Sequence, residues 1–233
     1  QKINLLSNCI QAGADSLMSS VLQLDQLMDL WVMYQIPPND FGSCNNGLNQ
    51  HQVEQLRNNW QYRSSETDIY NIVNITDVFD YISQLPNETS GVLLSKQISS
   101  PTAEIMTELM QSLSRFPFLV SLNIADNNMG ASIEAVRAFS HGLQYVSSLQ
   151  VLDVSGTGIG NNPEFLDAFA QGLRYLSKLK MLGFARNRLG YPEETAIFAG
   201  GLRYISQLQK LDISDNLVGP YDAAGVLSQG FQY

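Results

Sequence analysis

The sequence predicts an α/β fold in which one parallel sheet is assembled unit by unit, each strand followed by a turn and a helix. Three observations predict it. Four stretches repeat one another, LVSLNIADNNMG (119–130), LQVLDVSGTGIG (149–160), LKMLGFARNRLG (179–190) and LQKLDISDNLVG (208–219), at offsets of 30, 30 and 29 residues. Between them a second phrase recurs, FSHGLQYVSSL from Phe139, FAQGLRYLSKL from Phe169 and FAGGLRYISQL from Phe198, with apolar residues at helical spacing. Each copy also holds an apolar pair two residues apart (Leu122/Ile124, Leu152/Val154, Leu182/Phe184, Leu211/Ile213), so both side chains leave a strand on the same side. A fixed period of this length implies stacked units that share one interior, since no unit alone can bury its apolar face.

Taken in order, residues 2–33 read as helix, either one or two with the break at Ala12-Gly13-Ala14. Ile3, Leu6, Ile10, Leu17, Val21, Leu24, Met28 and Trp31 recur at spacings of three, four or seven. Pro37-Pro38 ends that pattern, and Asn, Gly and Ser dominate through Gly47. A second helix is expected over 49–62 from Val53, Leu56 and Trp60. A third is expected over 76–85, with Val78, Phe79, Ile82 and Leu85 inward and Thr76 as its N-cap. Residues 1–88 are therefore assigned to a helical N-terminal cap, and residues 89–233 to the repeats.

The first unit is degenerate. Thirty residues before Leu122 and Ile124 stand Val92 and Leu94, with Gln97 where later units carry asparagine. Asn127, Asn187 and Asn216 are expected to be buried where the chain turns, satisfying backbone groups that leucine could not. Thr157 takes that position in one unit, between Gly156 and Gly158, and a less rigid turn is expected there. Pro101, Pro163 and Pro192 are expected to open helices, with Glu164, Glu193 and Glu194 beside the positive end of the helix dipole. Gly142, Gly172 and Gly201 recur where helices would pack closely. Tyr145, Tyr175 and Tyr204 recur in register, which favours stacking over a ligand site. Gly230-Phe231-Gln232-Tyr233 matches Gly201-Leu202-Arg203-Tyr204, so the last unit is read as cut off.

The net charge of −9 is unevenly spread: residues 1–88 hold only Lys2, Arg57 and Arg63 against ten acids. An acidic chain without a basic stripe is not built for nucleic acid or for anionic membrane surfaces. The longest apolar run, around Leu30–Met33, is far too short to cross a bilayer, so no membrane insertion is expected. The chain begins with Gln1, so a trimmed or processed chain is expected. Cys9 and Cys44 are the only cysteines; free thiols in a reducing cytosol are expected, with a single bridge as the alternative. Asn74-Ile-Thr76 and Asn87-Glu-Thr89 fit a glycosylation acceptor, a pattern common by chance in an Asn-rich stretch.

The L-x-x-L-x-L-x-x-N phrase and its helical partner resemble the leucine-rich repeats of the ribonuclease-inhibitor class. The resemblance covers roughly residues 89–233. It implies a solenoid whose strands line a concave face and whose helices form the convex one. Similar arrays occur in ribonuclease inhibitors, the GTPase activators of Ran, NOD-like receptors and secreted effectors of intracellular bacteria. The Gln- and Asn-rich, near-uniform repeats behind a short helical N-terminal part resemble the last group. That resemblance implies a host protein as partner and the host cytoplasm as location; otherwise a cytoplasmic protein is expected.

The expected function is non-enzymatic protein binding through the concave face. On each strand the residues flanking the apolar pair point away from the interior. They form three rows: Gly91, Ser121, Val151, Met181, Lys210; then Leu93, Asn123, Asp153, Gly183, Asp212; then Ser95, Ala125, Ser155, Ala185, Ser214. The turns beyond add Asp126, Arg186, Arg188 and Asp215. Partner binding is assigned to Asn123, Asp126, Val151, Asp153, Met181, Arg186, Arg188, Lys210, Asp212 and Asp215, an apolar centre amid mixed charge. The small third row either lets a partner's backbone approach or answers crowding at the turn. No catalytic residue, metal, cofactor or small-molecule substrate is expected. Two rivals stand beside this reading. Leu85-Pro86-Asn87-Glu88 resembles the opening of an F-box, which would make the chain a ubiquitin-ligase substrate adaptor. Cys44 and His51 would form the pair of a Cys–His enzyme.

Overall fold

The structure, a computed structural model, describes residues 2–4, 29–31, 75–98, 101–218 and 226–227, with side chains from residue 78 onward. Five units follow one another from residue 91. Their strands are β3 (Gly91–Leu93), β4 (Ser121–Asn123), β5 (Val151–Asp153), β6 (Met181–Gly183) and β7 (Lys210–Asp212). Helix α1 (Ile75–Gln84) precedes β3. Helices α2 (Ala103–Leu113), α3 (Ile133–Gly142), α4 (Pro163–Gly172) and α5 (Pro192–Leu202) connect successive strands. Every neighbouring pair of strands is parallel.

The register follows the repeat. Leu122 lies opposite Leu152, Leu152 opposite Leu182, and Leu182 opposite Leu211. Equivalent side chains thus stack from unit to unit into one interior, and all eight members of the apolar pairs are at most 1% exposed. Phe139, Phe169, Phe184 and Phe198 fill the space between sheet and helices, and the Phe184 ring centroid sits 4.6 Å from that of Phe198. The helices lie against one another at the recurring glycines: a Cβ on Gly142 would come within 2.5 Å of the Met110 side chain.

Helix starts follow the expected chemistry with two differences. Pro163 and Pro192 are the first residues of α4 and α5, but Pro101 lies one residue ahead of Thr102, whose side chain caps α2 by accepting from the Ile105 amide. Thr76 lies inside the first turn of α1, which begins at Ile75. At its other end, α1 is fastened by Arg115, which donates to the Ser83 and Leu85 carbonyls. The Leu85–Glu88 stretch therefore follows a helix and leads into β3. The recurring tyrosines do not share one setting: the guanidinium of Arg174 lies 4.9 Å over the Tyr175 ring and that of Arg203 over Tyr204, while Tyr145, 44% exposed, follows Gln144.

The N-terminal segment departs from the helix expected over 2–33. Residues Lys2–Asn4 form strand β1 and Asp29–Trp31 form strand β2, and the seven-stranded sheet runs β2-β1-β7-β6-β5-β4-β3. Ile3 lies opposite Leu211 and Leu30 opposite Ile3, in the same parallel register as the repeats. The reason is visible in the residues. Gln1–Ile10 (QKINLLSNCI) follows the plan of Gln209–Val218 (QKLDISDNLV), and leucines three apart suit a repeat unit as well as a helix. The helix expected over 49–62, both cysteines, His51 and Gly230–Tyr233 lie outside the described residues.

Each turn after β3 to β7 reverses through a left-handed residue: Lys96, Asp126, Gly156, Arg186 and Asp215 have φ between 54° and 66°. Left-handed backbone at a non-glycine residue costs on the order of 1 kcal/mol, so the surroundings must fix it. The asparagine that follows does so. Asn216 donates from Nδ2 to the Phe184 carbonyl of the preceding unit (2.9 Å) and to Ile213 of its own, while Oδ1 accepts from the amides of Asn187 and Leu189. Asn187 repeats this towards Val154 and Gly158, and Asn127 towards Leu94 and Ile98. Thr157 is equally buried, but its hydroxyl reaches Val154 of its own unit and Asn187 of the next, never the preceding unit.

Removing these groups should separate the two residue types. Asn216→Ala orphans buried donors and acceptors in two units and is expected to cost about 3 kcal/mol. Thr157→Val orphans none, because Asn187 Nδ2 still serves Val154 and Gly158 still serves Asn187; about 1 kcal/mol is expected. Urea denaturation of the two variants checks the ranking.

Candidate functional site

The face of the sheet turned away from the helices carries the sequence-assigned residues, and the structure divides them by what they already bond. In the first row, Val151, Met181 and Lys210 lie in register and half-buried, with Ser121 ahead of them. Their side chains alternate with the buried leucines, so the sheet's pleat alone presents them.

The second row is engaged with its own backbone. Oδ1 of Asn123, Asp153 and Asp212 each accepts the amide two residues on, from Ala125, Ser155 and Ser214, at 2.9 Å in every case. Short polar side chains favour this local bond where a strand ends. Gly183 has no side chain to offer, and the Ala185 amide instead reaches the Ser155 hydroxyl of the preceding unit at 3.1 Å. The Asp153 carboxylate leans over the vacated space: a Cβ on Gly183 would meet its Oδ1 at 2.4 Å. Asn123 adds a bond to the other oxygen of Asp153. Asp153 is consequently only 8% exposed, which subordinates it to the fold.

The third row is buried as well from Ala125 onward, with Ser95 half-buried. Ala125, Ser155, Ala185 and Ser214 are 6–7% exposed, and the Ser155 bond shows that the space is used internally. Crowding at the turn accounts for the small residues.

Two of the turn residues pair with each other. Arg186 donates to the Asp126 carboxylate at 2.9 Å, although a whole unit separates them. Residues 126, 156 and 186 occupy equivalent turn positions, and Gly156 between them leaves the path clear; a Cβ there would lie 2.2 Å from Asp126 Oδ1. Arg188 is exposed and also left-handed, at φ 62°, while Asp215 is half-buried. Sequence reasoning placed all ten residues on or beside one face, and the structure brings them together there. It missed the bonding role of Ser155 and the two extra strands, which put Asn4 and Trp31 at the register positions that continue the second row past Asp212. The likeness of Gln1–Ile10 to Gln209–Val218 is the signal that finds the first of these strands.

Burial pushes the Asp212 carboxyl up from its ordinary range, against the lowering effect of its hydrogen bonds from Ser214; Asp153 and Asp215 add like charge. On the helix side, a groove of about 260 Å³ between α3 and α4 is lined by Arg137, His141, Glu164, Asp167 and Arg174, with the Ser140 hydroxyl buried beneath it. Arg137 and Glu164 pair across it. Among the described residues no three His, Cys, Asp or Glu side chains converge on a metal site, and no helix is long and apolar enough to cross a membrane. On the open face Val151 and Met181 form an apolar centre with charged groups around it.

Asp212 gives this face a pH signature. Because the folded protein holds that proton more tightly than the unfolded chain, the group favours folding while protonated, and the advantage is lost as pH rises through the raised value. Asp212→Asn keeps the oxygen that accepts the Ser214 amide and cannot ionise. It is expected to resist urea better than the parent at pH 7, with the two converging as pH falls below about 4; equal midpoints at both pH values would show that Asp212 ionises without cost.

No protein-family model matches this chain, and a comparison with curated proteins finds no match.

Proposed function

We propose that the chain is a leucine-rich repeat protein of the ribonuclease-inhibitor type, a solenoid that binds a protein partner without catalysis through the concave face of its sheet. The observation that carries this reading is the first row: Val151 and Met181 sit side by side, half-exposed, on strands whose other outward positions are either bonded internally, at Asp153 and Ser155, or too small to project, at Gly183 and Ala185. An apolar pair on a rigid sheet, bordered by Lys210, Arg188, Asp212 and the Asp126–Arg186 pair, suits a protein surface. Apolar anchors supply affinity there, and surrounding charge supplies selectivity. The Gln- and Asn-rich style of the repeats supports a secreted bacterial effector acting on a host protein.

The face is tested with residues that the fold does not itself require. Affinity capture from host-cell lysate with Val151→Glu plus Met181→Glu is expected to lose at least nine-tenths of any specific partner held by the parent, whereas Tyr145→Ala, on the exposed side of the helix layer, retains it. Capture of the same partners by all three proteins would remove the open face from consideration. Asp153→Lys is unsuitable for this purpose, because the Asp153 carboxylate holds the turn of its own unit.

A further inference from the structure

We propose that the edge of the sheet where the strands begin is a second interaction surface, and that its occupant is a short acidic segment of a protein partner. Because the strands are parallel, every segment that leads from a helix into a strand lies along this edge. These segments are stacked in register: the Gln150 amide donates to the Val120 carbonyl, Lys180 to Gln150, and Gln209 to Lys180. None of the segments 112–121, 142–151, 172–181 and 201–210 holds an aspartate or glutamate. The last two hold Arg174, Lys178, Lys180, Arg203 and Lys210, five of the chain's 13 lysines and arginines, on neighbouring units. The basic stripe missing from the linear sequence is thus assembled by the fold. Acids instead end the strands, at Asp153 and Asp212, or lie in the turns and helix starts beyond, as Glu164 and Glu193 do.

The stripe is available and partly preorganised. All five cations are exposed or half-buried. Arg137 and Arg186 spend their charge on carboxylates elsewhere, whereas among the described residues Lys178, Lys180 and Lys210 pair with none. The Arg174 guanidinium lies 4.9 Å over the Tyr175 ring and donates to that tyrosine's hydroxyl at 2.8 Å. Arg203 repeats both contacts with Tyr204 one unit on, at 4.9 and 3.0 Å. Stacking and the hydroxyl bond hold the guanidinium plane in place, and Arg174 keeps further N–H donors in the fork that matches a carboxylate. A cation held in place loses less freedom when it pairs.

The extent of the stripe selects the occupant. Beyond Lys210, the next register positions at the strand starts belong to Lys2 and then Asp29, so the sign reverses within two strands. With a net charge of −9, the charges outside these five residues sum to −14 (−9 − 5). A nucleic acid or an anionic bilayer extends past the stripe and meets that negative field. A short acidic segment stays within the local one, since screening confines it to about 8 Å at physiological salt. The arginines also cover a face of Tyr175 and Tyr204 on which a base would otherwise stack.

Fluorescence anisotropy with the full chain tests the proposal. The probes are a labelled Glu/Gly peptide, its Gln/Gly counterpart, an oligothymidylate, and vesicles containing phosphatidylglycerol. The Glu/Gly peptide is expected to bind more tightly than the other three, and at least tenfold more weakly when salt rises from about 0.05 to 0.5 M. Lys178→Glu should weaken it at least fivefold with an unchanged urea midpoint, while Lys178→Arg stays within about twofold of the parent. Lys96→Glu, which changes the net charge equally in a turn on the opposite edge, should also stay within about twofold. No binding of the Glu/Gly peptide, or an equal loss in Lys96→Glu and Lys178→Glu, would overturn the surface. Oligothymidylate or vesicles held at least as tightly as the peptide would overturn the protein occupant. Neither result touches the open-face reading, which is judged by partner capture with Val151 and Met181 substituted.

Discussion

The structure depends on one requirement: the turn that follows each three-residue strand lies between stacked units, away from water, and its polar groups must find partners there. A buried amide or carbonyl left alone costs more than a bond made is worth, so the turn residue is chosen for its bonding capacity. Asparagine supplies donors and an acceptor from one short side chain. With them it fastens its own unit to the one before, as Asn216 does to Phe184, Asn187 and Leu189. Three-residue strands offer few ladder bonds, and the asparagines make up much of the deficit. The leucines beneath provide the apolar burial, but asparagine fixes where one unit must sit on the next. The unit carrying Thr157 shows the consequence of changing it: its hydroxyl binds forward to Asn187 and makes no bond to the unit before, whose Ile124 carbonyl is served by Asn127 of its own unit.

The same logic explains why much of the predicted binding face is structural. Asn123, Asp153 and Asp212 were identified as outward-facing and charged or polar, and they are, yet each caps the amide two residues ahead. Where Gly183 interrupts the row, Ser155 and Asp153 close the gap from the neighbouring unit. Asp126 and Arg186 spend their charge on each other across Gly156. What remains outside these bonds is smaller and more apolar than the whole face, centred on Val151 and Met181. Mixed charge around a face therefore has to be sorted by its internal bonds before its capacity for a partner can be judged.

From residue 91 to 218, strands and helices were legible because a period near thirty residues repeats the apolar pair, the asparagine and the glycine together. Four independent readings of one pattern agree. The N-terminal strands were not legible by the same route. There the leucines of a repeat unit, three residues apart, coincide with one face of a helix, and the likeness of Gln1–Ile10 to Gln209–Val218 is what favours a repeat unit at β1. Row membership on the open face followed directly from the alternation of a strand. The bonds did not, although a short carboxylate or amide at a strand end is a recognised competitor for the backbone amide two residues on. The Asp126–Arg186 pair was hidden by sequence distance, even though equivalent turn positions two units apart, with a glycine between, bring them into reach.

The place of β1 beside β7 bears on how the molecule responds to proteases. Covalent continuity and sheet continuity do not coincide: β2 and β3, the outermost strands, are joined by residues 32–90, α1 among them, while the first and last strands of the series meet within the sheet. A single scission within residues 32–74 would break none of the strand pairings among the described residues. The product would be a shorter peptide clasped to a larger fragment by strand pairing, so that a cut visible on a denaturing gel leaves a particle of unchanged size in native solvent.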